Sequence, residues 1–275
     1  MASPFEPPLT ESEIAPLFED LSILRAVKSG GQGATFEAVS ACDGTRRALK
    51  VYGAATEPER VKREIKKLRV IDSPHVMRVL GDIREVTLRG EPVLAAEAEW
   101  IEGEDLVSIL RRANGATPFD ETQVKRLLSD GSRAIEALAD HAVLHRDINP
   151  NNIMQRADGT FVLIDLGYAK HLDMSSLSGK GQVCDTRGFI SPERLWGERR
   201  PTFRSDLFSL GVVAYVMASG CHPFGGRDEA AGSFQFMPID GLSRELNQLL
   251  FNLTRPTASL RAQNCHEIRQ ACGES

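Results

Sequence analysis

His145-Arg146-Asp147-Ile148-Asn149-Pro150-Asn151-Asn152, followed by Phe161-Val162-Leu163-Ile164-Asp165-Leu166-Gly167, is the stretch on which the reading of this chain turns. It carries two carboxylates, Asp147 and Asp165, and the amide of Asn152. The run Phe161 to Ile164 is apolar and short enough for a strand, so Asp165 falls where that strand ends. Taken alone, Asp165 and Asn152 also suit turns, which Asp and Asn favour by bonding their own backbone.

Upstream, Leu21 to Val27, Ala34 to Val39 and Arg46 to Tyr52 read as strands, with Asp43-Gly44 as the hairpin turn between the second and third. A Gly-rich turn, Ser29-Gly30-Gly31-Gln32-Gly33, links the first two, and Lys50 ends Ala48-Leu49-Lys50 on the third. Thr56 with Glu59 resembles a capping box, and Val61, Ile65 and Leu68 recur at helical spacing, which predicts a helix over about 57 to 70 carrying Glu64. Val76 to Thr87 and Pro92 to Trp100, joined across Arg89-Gly90, are two further strands.

Downstream the pattern turns helical. Asp120 to about Asp140 sets Val124, Leu127, Leu128, Ile135 and Leu138 on one side. Short strands between about 143 and 164 and an irregular stretch to about 205 precede an apolar helix from Asp206 to Ser219. Further helices are expected near 242 to 253 and 264 to 271. The expectation is a small sheet lobe joined by one strand to a larger helical lobe, with a cleft between them.

Composition excludes several functions. The 275 residues carry 33 Lys plus Arg against 38 Asp plus Glu, a net charge of -5, which argues against binding nucleic acid through bulk charge. The longest mostly apolar stretch, Leu207 to Ala218, falls short of the roughly 20 residues a membrane span needs. Met1 to Glu13 lacks the basic-then-apolar order of a signal peptide, so a cytoplasmic location is expected. The five cysteines form no Cys-x-x-Cys. Cys265, His266 and Cys272 fall one short of a closed structural zinc site and are read as ordinary helix residues.

Transfer of a terminal phosphoryl group needs donors aimed at the phosphates, oxygen ligands for magnesium and an acceptor beside the attacking hydroxyl. The chain supplies such groups in order: the Gly-rich turn, Lys50, Glu64, Asp147, Asn152 and Asp165. Ser191-Pro192-Glu193 follows, with Thr186 and Gly188 just before it, Asp206 at the apolar helix, and Arg261 as a candidate partner for Glu193. On these residues the chain resembles the protein kinase family, bacterial Ser/Thr-type members in particular, over about residues 21 to 271.

The resemblance implies an α+β bilobal fold, a small antiparallel sheet lobe with one helix plus a larger, mainly helical lobe. Residues 1–20 would be a loose tail and 21–275 the kinase domain, with 21–102 the N lobe and hinge and 103–275 the C lobe. It implies ATP and Mg as cofactors and a protein substrate. Lys50, held by Glu64, would bind the α and β phosphates, and Gly30, Gly31 and Gly33 would let backbone amides approach them. Asn152 and Asp165 would ligate magnesium, and Asp147 would accept or orient the hydroxyl proton. Trp100 and Ile101 would lie in the hinge that reads adenine, with Ala98 guarding the space behind it. His145 would pack beneath the catalytic loop, and Asp206 would tie that loop to the apolar helix. Arg146 would face a regulatory segment containing Ser175, Ser176 and Ser178.

The chain departs from the family at three points. Lys28 replaces the first Gly of the Gly-rich loop. Asn149 stands where Ser/Thr kinases usually carry Lys, and Asn151 lacks the Arg of tyrosine kinases. Asp147 to Asn152 also resembles the catalytic loop of small-molecule kinases of the aminoglycoside and choline type. Those enzymes generally lack counterparts of Asp165-Leu166-Gly167 and Ser191-Pro192-Glu193. A pseudokinase acting as a binding module is disfavoured because all five polar residues are retained. The basic helix with Arg60, Lys62, Arg63, Lys66, Lys67 and Arg69 reads as a solvated face or a dock for an acidic partner.

Overall fold

The computed structural model describes residues 4–30, 33–53, 58–113, 119–165, 186–195, 197, 201–223 and 236–274. Two compact units divide them: one holds the described residues up to 72 together with 77–101, the other holds 73–76 and the described residues from 102 onward.

The first unit opens with a one-turn helix, α1 (Glu11–Ile14). Then follow β1 (Leu21–Gly30), β2 (Gly33–Ser40), β3 (Arg46–Tyr52), α2 (Pro58–Leu68), β4 (Val79–Leu88) and β5 (Glu91–Glu99). The strands form one antiparallel sheet in the order β1-β2-β3-β5-β4. The α2 helix buries Val61, Ile65 and Leu68, the residues whose spacing predicts it, and packs against β4. Thr56, the expected cap, lies outside the described residues. The fourth strand starts at Val79 and not at Val76, because Val76 bridges Leu163 in the second unit.

The reading of residues 1–20 as a loose tail does not hold for 4–20. Phe5, Leu9, Ile14 and Phe18 are buried in one core with Leu21, Phe36, Leu49, Val51, Leu88 and Val93. Four apolar side chains spread among Pro and Glu make little impression on composition, yet each finds the sheet. Arg89, in the β4–β5 turn, donates to Pro7 O (2.8 Å) and to both oxygens of Glu13 (2.8 and 3.2 Å). Glu11 accepts the edge N–H of Ala26 at 2.8 Å.

The second unit contains β6 (Gly103–Asp105), α3 (Leu106–Ala113), α4 (Glu121–Asp140), β7 (Ile153–Arg156), β8 (Phe161–Leu163), α5 (Pro192–Leu195), α6 (Phe203–Ser219), α7 (Arg244–Leu253) and α8 (Cys265–Ala271). Its sheet runs β6-β7-β8. Asp120 caps α4 by accepting from Gln123 N, and the apolar side predicted for this helix is buried. The α6 helix is buried almost throughout, and Gly131 of α4 lets it close in: a Cβ there would sit 2.6 Å from Leu210 Cδ1. This helix begins three residues before the expected Asp206, because Thr202 supplies the cap. Among the described residues, no helix is long and apolar enough to cross a membrane.

Candidate active site

In the first unit Lys50 pairs with Thr35 on β2 and Ala96 on β5, and its Nζ lies 5.3 Å from the Tyr52 ring centroid. Glu64 is half-buried on α2 among Val61, Ile65 and Leu68. Gly30 pairs with Gly33 across the β1–β2 turn, and Gly31 lies outside the described residues. Gly33 has its own reason to be glycine, since a Cβ would fall 2.0 Å from Val51 O on the neighbouring strand.

Ala98 sits between Ala48 on β3 and Val79 on β4 and is 7% exposed. Beyond β5, Trp100 is covered by the Arg46 guanidinium, 4.9 Å from its ring centroid, and Ile101 is buried. Arg46 is in turn held by Glu37, which also accepts from Arg25 at 2.7 Å. Burial works against ionisation of Glu37, but its bonds to Arg46 and Arg25 win and lower its pKa. Sequence reasoning missed this support for Trp100, because the three partners come from three different strands.

In the second unit a buried framework shapes the segment from His145 to Asn152. Asp206 accepts from His145 N through Oδ2 and from Arg146 N through Oδ1, both at 2.8 Å. Burial pushes the Asp206 pKa up, and these two N–H donors oppose it. His145 Nδ1 accepts from Asp147 N at 3.3 Å, which leaves Nε2 to donate to Ile164 O at 3.1 Å. Burial lowers the His145 pKa, in keeping with the neutral ring those two bonds require.

That framework brings three predicted residues together. Asn152 Nδ2 donates to Asp147 O and Asp147 Oδ2, each at 2.9 Å. Ile164 N donates to Asn152 O at 2.9 Å, which sets Asp165 beside the same loop. Asn149 is buried and turned inward, donating to Asp147 O at 2.9 Å and accepting from Asn151 N. Arg146 and Asp165 both hold positive φ, 64° and 56°, a conformation that residues with side chains adopt only when their surroundings fix it.

Glu193 and Arg261, paired in the sequence reading, form a buried bidentate ion pair. Arg194 was missed: its Nη1 donates to Arg146 O. No local pattern marks it, since the two residues lie far apart in sequence. Leu166, Gly167, Ser175, Ser176 and Ser178 lie outside the described residues.

An oxygen-donor site for a hard divalent cation fits this arrangement. Asn152 commits its Nδ2 to Asp147, so the amide oxygen is its remaining side-chain donor to a cation, and Asp165 adds a carboxylate. Among the described residues no group of three or more His, Cys, Asp or Glu gathers to cage a metal. Magnesium is commonly held by one or two protein ligands together with substrate phosphates.

Comparison with known proteins agrees with the geometry. Residues 21–272 match the family described as "Protein kinase domain". The chain is similar to "Serine/threonine-protein kinase pkn2" of Myxococcus xanthus, 31% identical over 271 residues that cover 90% of this chain and 31% of the relative. Similarity to "Serine/threonine-protein kinase PknA" of Mycobacterium tuberculosis is 32% over 209 residues, covering 74% of this chain and 47% of the relative. With "Serine/threonine-protein kinase PknH" of Mycobacterium bovis it is 28% over 228 residues, 81% and 36%. The chain thus spans between about a third and a half of the length of these relatives.

Proposed function

The chain belongs to the protein kinase domain family, and on that premise we propose that it is an ATP-dependent Ser/Thr protein kinase, transferring the γ-phosphoryl group of Mg-ATP to protein hydroxyls. One observation carries the reading. Asp147, Asn152 and the start of the Asp165 segment are bonded to one another and braced from below by His145 and Asp206.

In this reading Asp147 receives or orients the hydroxyl proton, and the bond from Asn152 Nδ2 aims its carboxylate. Asn152 and Asp165 would hold magnesium, which neutralises phosphate charge when bound. Lys50, steadied by Glu64, serves the α and β phosphates, and the backbone at Gly30, Gly31 and Gly33 approaches them. Trp100 and Ile101 receive adenine, with Ala98 behind it. Phosphoryl transfer asks little covalent chemistry of a protein and depends on positioning and charge, the two things these residues supply.

The domain is taken as 21–275, with 21–102 forming the N lobe and hinge, and a cytoplasmic setting belongs to the same proposal. The Ser/Thr kinase relatives support a Ser/Thr acceptor. The inward turn of Asn149 supports a catalytic loop built without the lysine usual there.

Incubation with γ-labelled ATP and magnesium, alone and with generic protein acceptors, tests the reading. Label mapped to Ser or Thr is expected. Label confined to tyrosine, transfer only to small alcohols or amines, or no transfer overturns it.

A further inference from the structure

Arg194 is a buried arginine, 6% exposed, in the four-residue helix α5. A guanidinium is costly to withdraw from water unless hydrogen bonds and opposite charges receive it. Burial pushes its pKa down, the charges of Asp206 and Asp147 oppose that, and Arg146 adds to it. Its origin is rigid: Arg194 N donates to Ser191 O at 3.0 Å, and the preceding residue, Glu193, is locked to Arg261 and Ser205.

From that anchor the side chain reaches one particular acceptor, the carbonyl of Arg146. Arg146 is the residue at φ 64°, and its N–H is held by Asp206 Oδ1. The left-handed backbone is therefore gripped on both sides, the N–H by a carboxylate and the C=O by a guanidinium. That C=O is half of the peptide bond leading into Asp147, so wherever it points the Asp147 backbone follows. Asn152 fixes the other end of the same residue through Asp147 O and Oδ2.

We propose that Arg194 is a positioning residue for phosphoryl transfer, holding the strained Arg146–Asp147 peptide so that the Asp147 carboxylate keeps its aim. The inference rests on the function proposed above. It gives Arg194 no contact with nucleotide or acceptor, and so separates it from a catalytic residue.

The test compares Arg194→Met with Arg194→Lys in the full chain, reading kcat, the KM for ATP, thermal unfolding and backbone amide exchange at residues 145–148. Arg194→Met should lower kcat about 10- to 100-fold, the scale of a misplaced catalytic group, with the KM for ATP nearly unchanged and exchange at Asp147 accelerated. Arg194→Lys keeps one donor for the carbonyl and should recover most of both. A folded Arg194→Met enzyme with wild-type kcat overturns the proposal, as does a loss confined to thermal stability. Should Arg194→Met not fold, Arg194→Lys and Arg194→Gln replace it; kcat must then follow the exchange rate at Asp147, and a kcat independent of that rate overturns the idea. Absent turnover in the wild-type chain defeats the proposed function itself, whereas wild-type turnover with an unaltered Arg194→Met defeats only the clamp.

Discussion

Arg261 meets Glu193 with both arms of its guanidinium, Nη1 to Oε1 at 2.7 Å and Nη2 to Oε2 at 2.8 Å, and the two side chains are 0% and 5% exposed. The remaining donors of Arg261 go to the carbonyls of Arg255, Pro256 and Arg204. A pair so enclosed is weak evidence of net stabilisation, but breaking it strands a charge. Glu193→Gln should therefore destabilise the protein by about 3–5 kcal/mol in denaturant unfolding. Burial alone would raise the Glu193 pKa, yet Arg261 and Ser205 bring it from its ordinary 4.5 down to about 2. The folded value lies below the unfolded one, so this contribution is fully present above pH 4.5 and is lost as pH falls toward 2. Wild type should lose more stability than Glu193→Gln between those limits; parallel curves would remove the pair from the acid response.

Asp147→Asn should lower turnover by at least ~10²-fold while nucleotide still binds, the low end of what general base catalysis contributes. Asn152→Ala goes further, because it deletes both bonds to Asp147 along with the amide oxygen assigned to the cation. It should lower turnover and also raise the magnesium concentration needed for half-maximal rate. Unchanged turnover in Asp147→Asn takes that carboxylate out of the chemistry.

Ala98 is the small residue at the assigned hinge, flanked by Ala48 and Val79. On the proposed assignment, a larger side chain there would fill the space behind adenine. Ala98→Met should weaken bulky adenine-site inhibitors by about 1 to 3 kcal/mol through steric overlap, measured by competition against ATP. Equal affinity for both proteins would shift the hinge away from Trp100 and Ile101.

What could be read from sequence follows from how local each signal is. Periodicity found α2 and α4 because their buried faces recur along one helix, and Asp43-Gly44 and Arg89-Gly90 marked real turns because a hairpin is decided by two residues. The eight-residue α3 was missed, since Leu106, Val107 and Leu110 are too few to establish a period. Among site residues, Asp147, Asn152 and Asp165 were visible as a spaced motif. The bracing residues were less so: the Arg194 bond to Arg146 spans 48 positions, and in the first unit the Glu37 support of the Arg46 that covers Trp100 crosses strands. Such partners leave no trace until the chain is folded.

The segment from Pro4 to Asp20 offers the sharpest contrast between burial and surface charge. Phe18 is 1% exposed, joins the core of the sheet, and has the Arg84 guanidinium 5.6 Å from its ring centroid. Removing its ring should cost about 3–5 kcal/mol, the usual range for a buried Phe→Ala. Arg89 and Glu13 fasten the same segment from outside, and Arg89 holds the Glu13 pKa down to about 2. Water and salt screen that contact, so Arg89→Ala should destabilise far less than Phe18→Ala, and its effect should shrink as salt is added. Urea unfolding of both variants at low and high ionic strength checks the ranking. A larger loss in Arg89→Ala would mean that the segment is held by its ion pair and the Arg89 bonds to the carbonyls of Pro7 and Pro8 more than by its apolar side chains, and a salt-independent loss would take the ion pair itself out of that account.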